Sequence, residues 1–157
     1  MDETLANAIV MLKTEFMKRH NGGSHIHEII PISSESFSIV EHELDLLHKF
    51  AKSNSIYTGS YEMDILGTAC IVYEGDVNNY WLDSIKHDTS YTPFYPIWIL
   101  SAYAIALESK NLGAKQIIDI GSGDGRIAYC AKVAGLQSYG IEIDENLVEL
   151  ENKISLS

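Results

Sequence analysis

Asp119-Ile120-Gly121-Ser122-Gly123-Asp124-Gly125-Arg126 joins a short apolar run, Gln116 to Ile120, to a helical pattern from Arg126 to Ala134 that Gly135 stops. A second apolar run, Ser138 to Ile143, follows. Asp144 then caps a pattern in which Leu147, Leu150 and Ile154 share one helical face. Strand, glycine turn, helix, strand, helix is a βαβ unit, so this part of the chain is predicted to be α/β with parallel strands. The glycines have a physical reason: a Cβ would block both the tight turn and the approach of backbone amides to a ligand lying across the strand ends. Glu142 ends the second strand, twenty-one residues after Gly121. A carboxylate there sits where a ribose would present two hydroxyls, and the whole predicts an adenosine-type site at the carboxyl edge of the sheet.

Two ligand classes use that geometry. The dinucleotide fingerprint requires a third glycine three positions after the second, and Arg126 stands there instead, so a nicotinamide-dependent oxidoreductase is the third-ranked reading. The pattern present is G-x-G-x-G with an acid two residues ahead of the first glycine. It resembles motif I of class I S-adenosylmethionine-dependent methyltransferases. That resemblance implies a Rossmann-like sheet, S-adenosylmethionine as cofactor, and Asp119, Gly121, Gly123, Gly125 and Glu142 as its contacts, with Ser122 and Asp124 contributing backbone or rim. The wording Gly-Ser-Gly-Asp-Gly-Arg, followed by Gly140-Ile141-Glu142-Ile143-Asp144 and Asn146-Leu147-Val148, is closest to the small protein-lysine methyltransferases of archaea and mitochondria. Those proteins carry a Tyr/Thr-Pro segment ahead of motif I that closes over the cofactor, so Tyr91 and Thr92, before Pro93, join the implied cofactor contacts. The resemblance covers about residues 91 to 151. No residue suggests itself as catalytic base. As simpler alternatives, Asp119 also suits a cap for the turn, and Glu142 a solvated acid at a strand end.

A complete class I fold has seven strands, and the 37 residues from Gly121 to Ser157 hold only its beginning. The sheet is therefore expected to be incomplete: the first part of a longer protein, or a shortened relative whose sheet edge a second copy covers in a homo-oligomer. A non-catalytic module that keeps the cofactor turn without the substrate half is the alternative to an enzyme.

Residues 1–90 carry no family signature and are predicted to form a mainly helical N-terminal module ahead of the cofactor unit at 91–157. Leu5, Ala8, Ile9, Leu12 and Phe16 recur at helical spacing over residues 3 to 20, with Asn21-Gly22-Gly23 as a stop. Gly22 to Ser36 is expected to be a Gly/Pro/Ser loop. Its His25-x-His27 and Glu28 approach ligand spacing but lack a third partner, so no metal is predicted. Ser34 or Ser36 is the expected N-cap of a helix through Phe37, Val40, Leu44, Leu47 and Ala51. Tyr61 to Tyr73 first alternates and then becomes continuously apolar, leaving strand and helix both open. A short helix over Val77, Tyr80, Trp81 and Ile85 comes next, then a loop from Lys86 to Pro93. The following helix is expected to take Pro96 in its first turn, to bury Ala102, Ile105 and Ala106, and to end before Gly113.

Composition narrows the partners. The 157 residues carry a formal net charge of −11 with eleven Lys and Arg and no basic block, which argues against nucleic acid and anionic membranes and leaves a basic protein or peptide substrate electrostatically allowed. The uncharged stretch from Thr89 to Leu107 is broken by Pro93 and Pro96 and is too short in its apolar part to span a bilayer. Cys70 and Cys130 have no companion thiols, and no secretory signal opens the chain, so a cytoplasmic location is expected.

Overall fold

A computed structural model describes residues 3–20, 25–76 and 96–156. Among them are five α-helices and two small sheets, a mixed α/β architecture. The expected helix over Val77–Ile85, the loop from Lys86 to Pro93, the Asn21–Gly23 stop and the boundary at residue 90 lie outside the described residues.

Helix α1 (Glu3–Arg19) forms as its periodicity predicts, with Leu5, Ile9, Leu12 and Phe16 all buried. Lys18 and Arg19 in its last turn complement the helix dipole and pair with Glu15. The segment expected to be a loop is instead strand β1 (His25–Pro31). Its signal was hidden because a polar residue occupies an inward position: Ile26, Glu28 and Ile30 alternate on one face, and Glu28 is fully buried. After a 3-10 turn at Ser34–Ser36, helix α2 (Glu41–Ser53) starts later than either expected serine cap. Phe37 and Ile39 are both buried while Val40 is exposed. The chain bends over residues 37–39, where the Ile39 amide bonds back to the Phe37 carbonyl at 2.7 Å, and this segment buries Phe37 and Ile39 ahead of the helix.

Strands β2 (Tyr57–Ile65) and β3 (Thr68–Asp76) resolve the ambiguous stretch as a hairpin. Its two-residue turn, Leu66-Gly67, has φ of 55° and 80°, the doubly left-handed geometry that matches the twist of the flanking strands. Asp64 Oδ1 accepts a hydrogen bond from the Gly67 amide at 2.9 Å. The sheet order is β1-β3-β2, fully antiparallel. The N-terminal stretch, expected to be mainly helical, thus holds a three-stranded sheet beside its two helices. Buried His48 of α2 fastens helix to sheet, its two ring nitrogens each 2.8 Å from an oxygen, Tyr73 Oη and the Pro31 carbonyl.

Helix α3 (Ile99–Asn111) starts three residues beyond Pro96. Ile99, Ala102, Tyr103 and Ala106, at i, i+3, i+4 and i+7, are buried, whereas Ile105, expected to face inward, is 45% exposed. At 100° per residue it falls off that stripe.

The βαβ unit forms as predicted: β4 (Gln116–Ile120), α4 (Arg126–Val133) and β5 (Gln137–Ile141), with β4 and β5 parallel. Helix α5 (Glu145–Leu156) follows. Asp144 caps it, its Oδ1 accepting from the Asn146 and Leu147 amides, and Leu147, Leu150 and Ile154 are buried. One hydrophobic core runs through α1, β1, α2, β3, α3, α4 and α5. On the parallel pair, Ile118, Ile120, Tyr139 and Ile141 are all more than half exposed.

Two substitutions test the packing. Phe16→Ala, at a site with no solvent exposure, is expected to cost about 3–5 kcal/mol, and Val10→Ala on the exposed face about 0.5 kcal/mol or less; urea unfolding measures both. Leu66→Asn, relieving a branched side chain held at positive φ, is expected to raise stability by roughly 0.5–1 kcal/mol in the same assay.

Candidate functional site

The glycine turn connects the carboxyl end of β4 to the first turn of α4. Gly121, Gly123 and Gly125 have φ of 79°, 60° and 77°, a region that residues with a Cβ enter only at a cost. The amides of Gly121 and Ser122 donate to the Ile141 carbonyl at 2.7 and 3.0 Å, which closes the turn onto the end of β5. A Cβ at Gly125 or at Gly140 would also meet the side chain of Glu151, which reaches in from α5 and would have to shift. Ser122 Oγ donates to that carboxyl at 3.1 Å.

Glu142 meets the turn directly. Its Oε2 accepts from the Gly123 amide at 2.8 Å, and its Oε1 accepts from the Ile143 and Asp144 amides at 2.8 and 3.0 Å. Asp119, half-buried at the end of β4, makes no hydrogen bond or ion pair among the described residues. Burial, then the nearby charges of Glu142 and Asp124, raises its carboxyl above the ordinary range. Glu151 is also raised, by burial first, against the pull of its bond from Ser122. Of the residues expected at the site, Asp119, Gly121, Ser122, Gly123, Gly125 and Glu142 therefore come together at one edge of the parallel pair. Tyr91 and Thr92 lie outside the described residues.

Asp124 and Arg126 point the other way. Asp124 is 1% and Arg126 3% exposed, and both side chains leave the turn toward the antiparallel sheet. Arg126 forks onto Asp124 and, at 2.9 Å, onto Glu28 of β1. It also donates to Tyr57 Oη at 3.1 Å and to the Ile97 carbonyl, and lies 5.6 Å from the Phe50 ring. Asp124 accepts from Asn54 Nδ2 at 2.9 Å. Glu28 accepts from Tyr57 Oη at 2.9 Å and from the Ile99 amide at 2.6 Å, which places an anion at the N-terminus of α3. Burial tends to lower the Arg126 pKa, but Asp124 and the other partners outweigh it and hold the guanidinium charged.

Sequence reasoning missed this network. The expected loop over Gly22 to Ser36 gives Glu28 no buried partner, and the motif wording gives Arg126 no partner remote in sequence. The available signal was the Ile26-x-Glu28-x-Ile30 alternation, which puts an acid on an apolar face.

Two hollows flank these residues. One of about 430 Å³ lies behind the turn, with Phe50, Tyr129, Glu151 and Ile154 in its wall. The other, about 500 Å³, is lined by His20, His25, His27, Glu74, Trp98 and Arg126. The His20 and His27 rings stack at 5.2 Å, and His27 Nε2 is 3.5 Å from Glu74 Oε2. Among the described residues no three His, Cys, Asp or Glu side chains are grouped to hold a metal ion.

Comparison of the chain with protein-family models, with curated proteins and with solved structures finds no match. No helix among the described residues is long and apolar enough to cross a membrane.

Burial raises the Glu28 carboxyl to about 6, against the opposing pull of Arg126, the Ile99 amide and Tyr57. A folded pKa above the unfolded one means that Glu28 contributes stability below about pH 4.5 and loses it as pH rises through about 6. Relative to Glu28→Gln, the wild type is expected to lose about 2 kcal/mol between pH 4.5 and 7, read from urea unfolding at the two pH values.

Proposed function

We propose that the glycine turn binds S-adenosylmethionine and that the protein is a methyltransferase acting on a protein lysine. The single observation that carries this reading is the meeting of Asp119 and Glu142 at the glycine turn, at the carboxyl edge of two parallel strands. Asp119 is a half-buried carboxyl with no hydrogen-bond or ion-pair partner among the described residues, raised by burial and by the neighbouring acids, and carboxyls so perturbed concentrate at binding sites. The donor and acceptor chemistry fits the cofactor: two carboxylates suit an α-amino group and a ribose diol, and three glycines let backbone approach closely. The oxidoreductase alternative draws no such support, because Arg126, at the third-glycine position, is committed to Glu28 and Asp124.

When bound, the sulfonium supplies an already activated methyl group, so the protein's part is orientation and exclusion of water. In this reading Asp119 and Glu142 orient the ligand from the strand ends, and the turn backbone forms the floor. The acceptor amine must arrive without its proton. The net charge of −11 suits a basic protein surface as partner. A cytoplasmic location belongs to the same reading, supported by two free, buried thiols.

Titration calorimetry with S-adenosylhomocysteine tests the proposal. Binding is expected in the wild type and is expected to weaken by about 1–3 kcal/mol in Glu142→Ala, where the carboxylate's hydrogen bonds are lost. No heat of binding with the folded wild type, or binding of NAD in its place, overturns it. Binding without methyl transfer to any protein acceptor would favour a non-catalytic cofactor module.

A further inference from the structure

We infer that Glu28, Tyr57 and Asn54 of the antiparallel part of the fold are positioning residues for the glycine turn, acting on it through Asp124 and Arg126. This inference rests on the reading of the turn as a ligand site, and it supplies a role for the N-terminal stretch.

Three of the five residues from Gly121 to Gly125 are glycines in left-handed conformations. Glycine reaches those angles without strain, but it also has the most alternative conformations to leave them for. A ligand site needs amides fixed to a fraction of an ångström; Ile141 and Glu142 hold the Gly121 and Gly123 amides, and the side chains of Ser122, Asp124 and Arg126 fix the turn further. Each of them is anchored by a residue remote in sequence. Ser122 is held by Glu151. Asp124 is held by Asn54, 70 residues away, and Arg126 by Glu28, 98 residues away, and by Tyr57. The two longest tethers flank Gly125, and both end on the N-terminal stretch.

The charges make the arrangement selective. Arg126 sits between two carboxylates with no solvent to replace either of them. Glu28 has its oxygens filled by Arg126, Tyr57 and the Ile99 amide, so the guanidinium has one position in which every buried group is satisfied. A buried network of that kind favours one geometry over its neighbours more than it adds net stability. Moving the Arg126 side chain means moving the residue next to Gly125.

Amide hydrogen exchange on the full chain is the test, followed at Gly123 and Gly125 in the turn and at Val72 in β3. The variants are Glu28→Gln and Tyr57→Phe, with Leu5→Ala in α1 as a control that loosens the core away from the turn. Glu28→Gln is expected to speed exchange at Gly123 and Gly125 roughly tenfold or more while Val72 keeps its protection, and to weaken S-adenosylhomocysteine binding about tenfold. Tyr57→Phe, which removes one hydroxyl, is expected to act in the same direction by a smaller factor, and it carries the test if Glu28→Gln does not fold. Unchanged exchange in the turn overturns the inference. So does acceleration by one common factor at the turn and at Val72, or an equal local effect from Leu5→Ala. If the wild type binds no S-adenosylhomocysteine, the proposed function falls while the exchange rates still decide this inference.

Discussion

The Arg126 guanidinium, buried between Glu28 and Asp124, is the constraint on which the arrangement of this protein depends. It ties together β1, β2, the N-terminus of α3, the glycine turn and the first residue of α4. Transferring three charged groups out of water is expensive, and their mutual attraction recovers much of that cost without guaranteeing a surplus. What such a cluster supplies is discrimination. Any packing that separates one member leaves an uncompensated charge in a low-dielectric interior, a penalty of about 3–5 kcal/mol in comparable pairs. Helix α3 illustrates the consequence. Its first amide is satisfied by Glu28 from another element, which joins its start to the network.

Around the turn the electrostatics have the opposite sense. Asp119, Glu142 and Glu151 converge on the glycines with no cation among their partners in the described residues, and burial together with mutual repulsion raises the carboxyls of Asp119 and Glu151. Backbone amides take the place of cations: Glu142 alone accepts three of them. The turn thus has one side facing the antiparallel sheet, where a single guanidinium lies between two carboxylates, and another at the strand ends, where Asp119 has no hydrogen bond or ion pair among the described residues. A ligand that brings hydroxyl and amine donors would complete the second side without disturbing the first.

How legible these features were depends on the range of the forces behind them. The βαβ unit was readable because each signal is local: apolar runs of strand length, glycines at the turn, Asp144 two residues ahead of the amide it caps. Helix α1 was readable from its stripe alone. Strand β1 was not, because Glu28 interrupts its apolar face and is tolerated there only through partners 29, 71 and 98 residues away. The hairpin stayed ambiguous because half-buried periodicity over Tyr61 to Tyr73 does not separate the two structures until β1 supplies a pairing edge on β3.

By itself the sequence determined the glycine turn, the acids at its two strand ends and the parallel pair that presents them, since backbone sterics at glycine and a two-residue repeat act between near neighbours. Only the tertiary structure decided that Asp124 and Arg126 face away from the strand ends and pair with the antiparallel part of the fold. A charge can be buried only where its partners converge, and those partners, Glu28, Asn54 and Tyr57, come from parts of the chain that folding alone brings together.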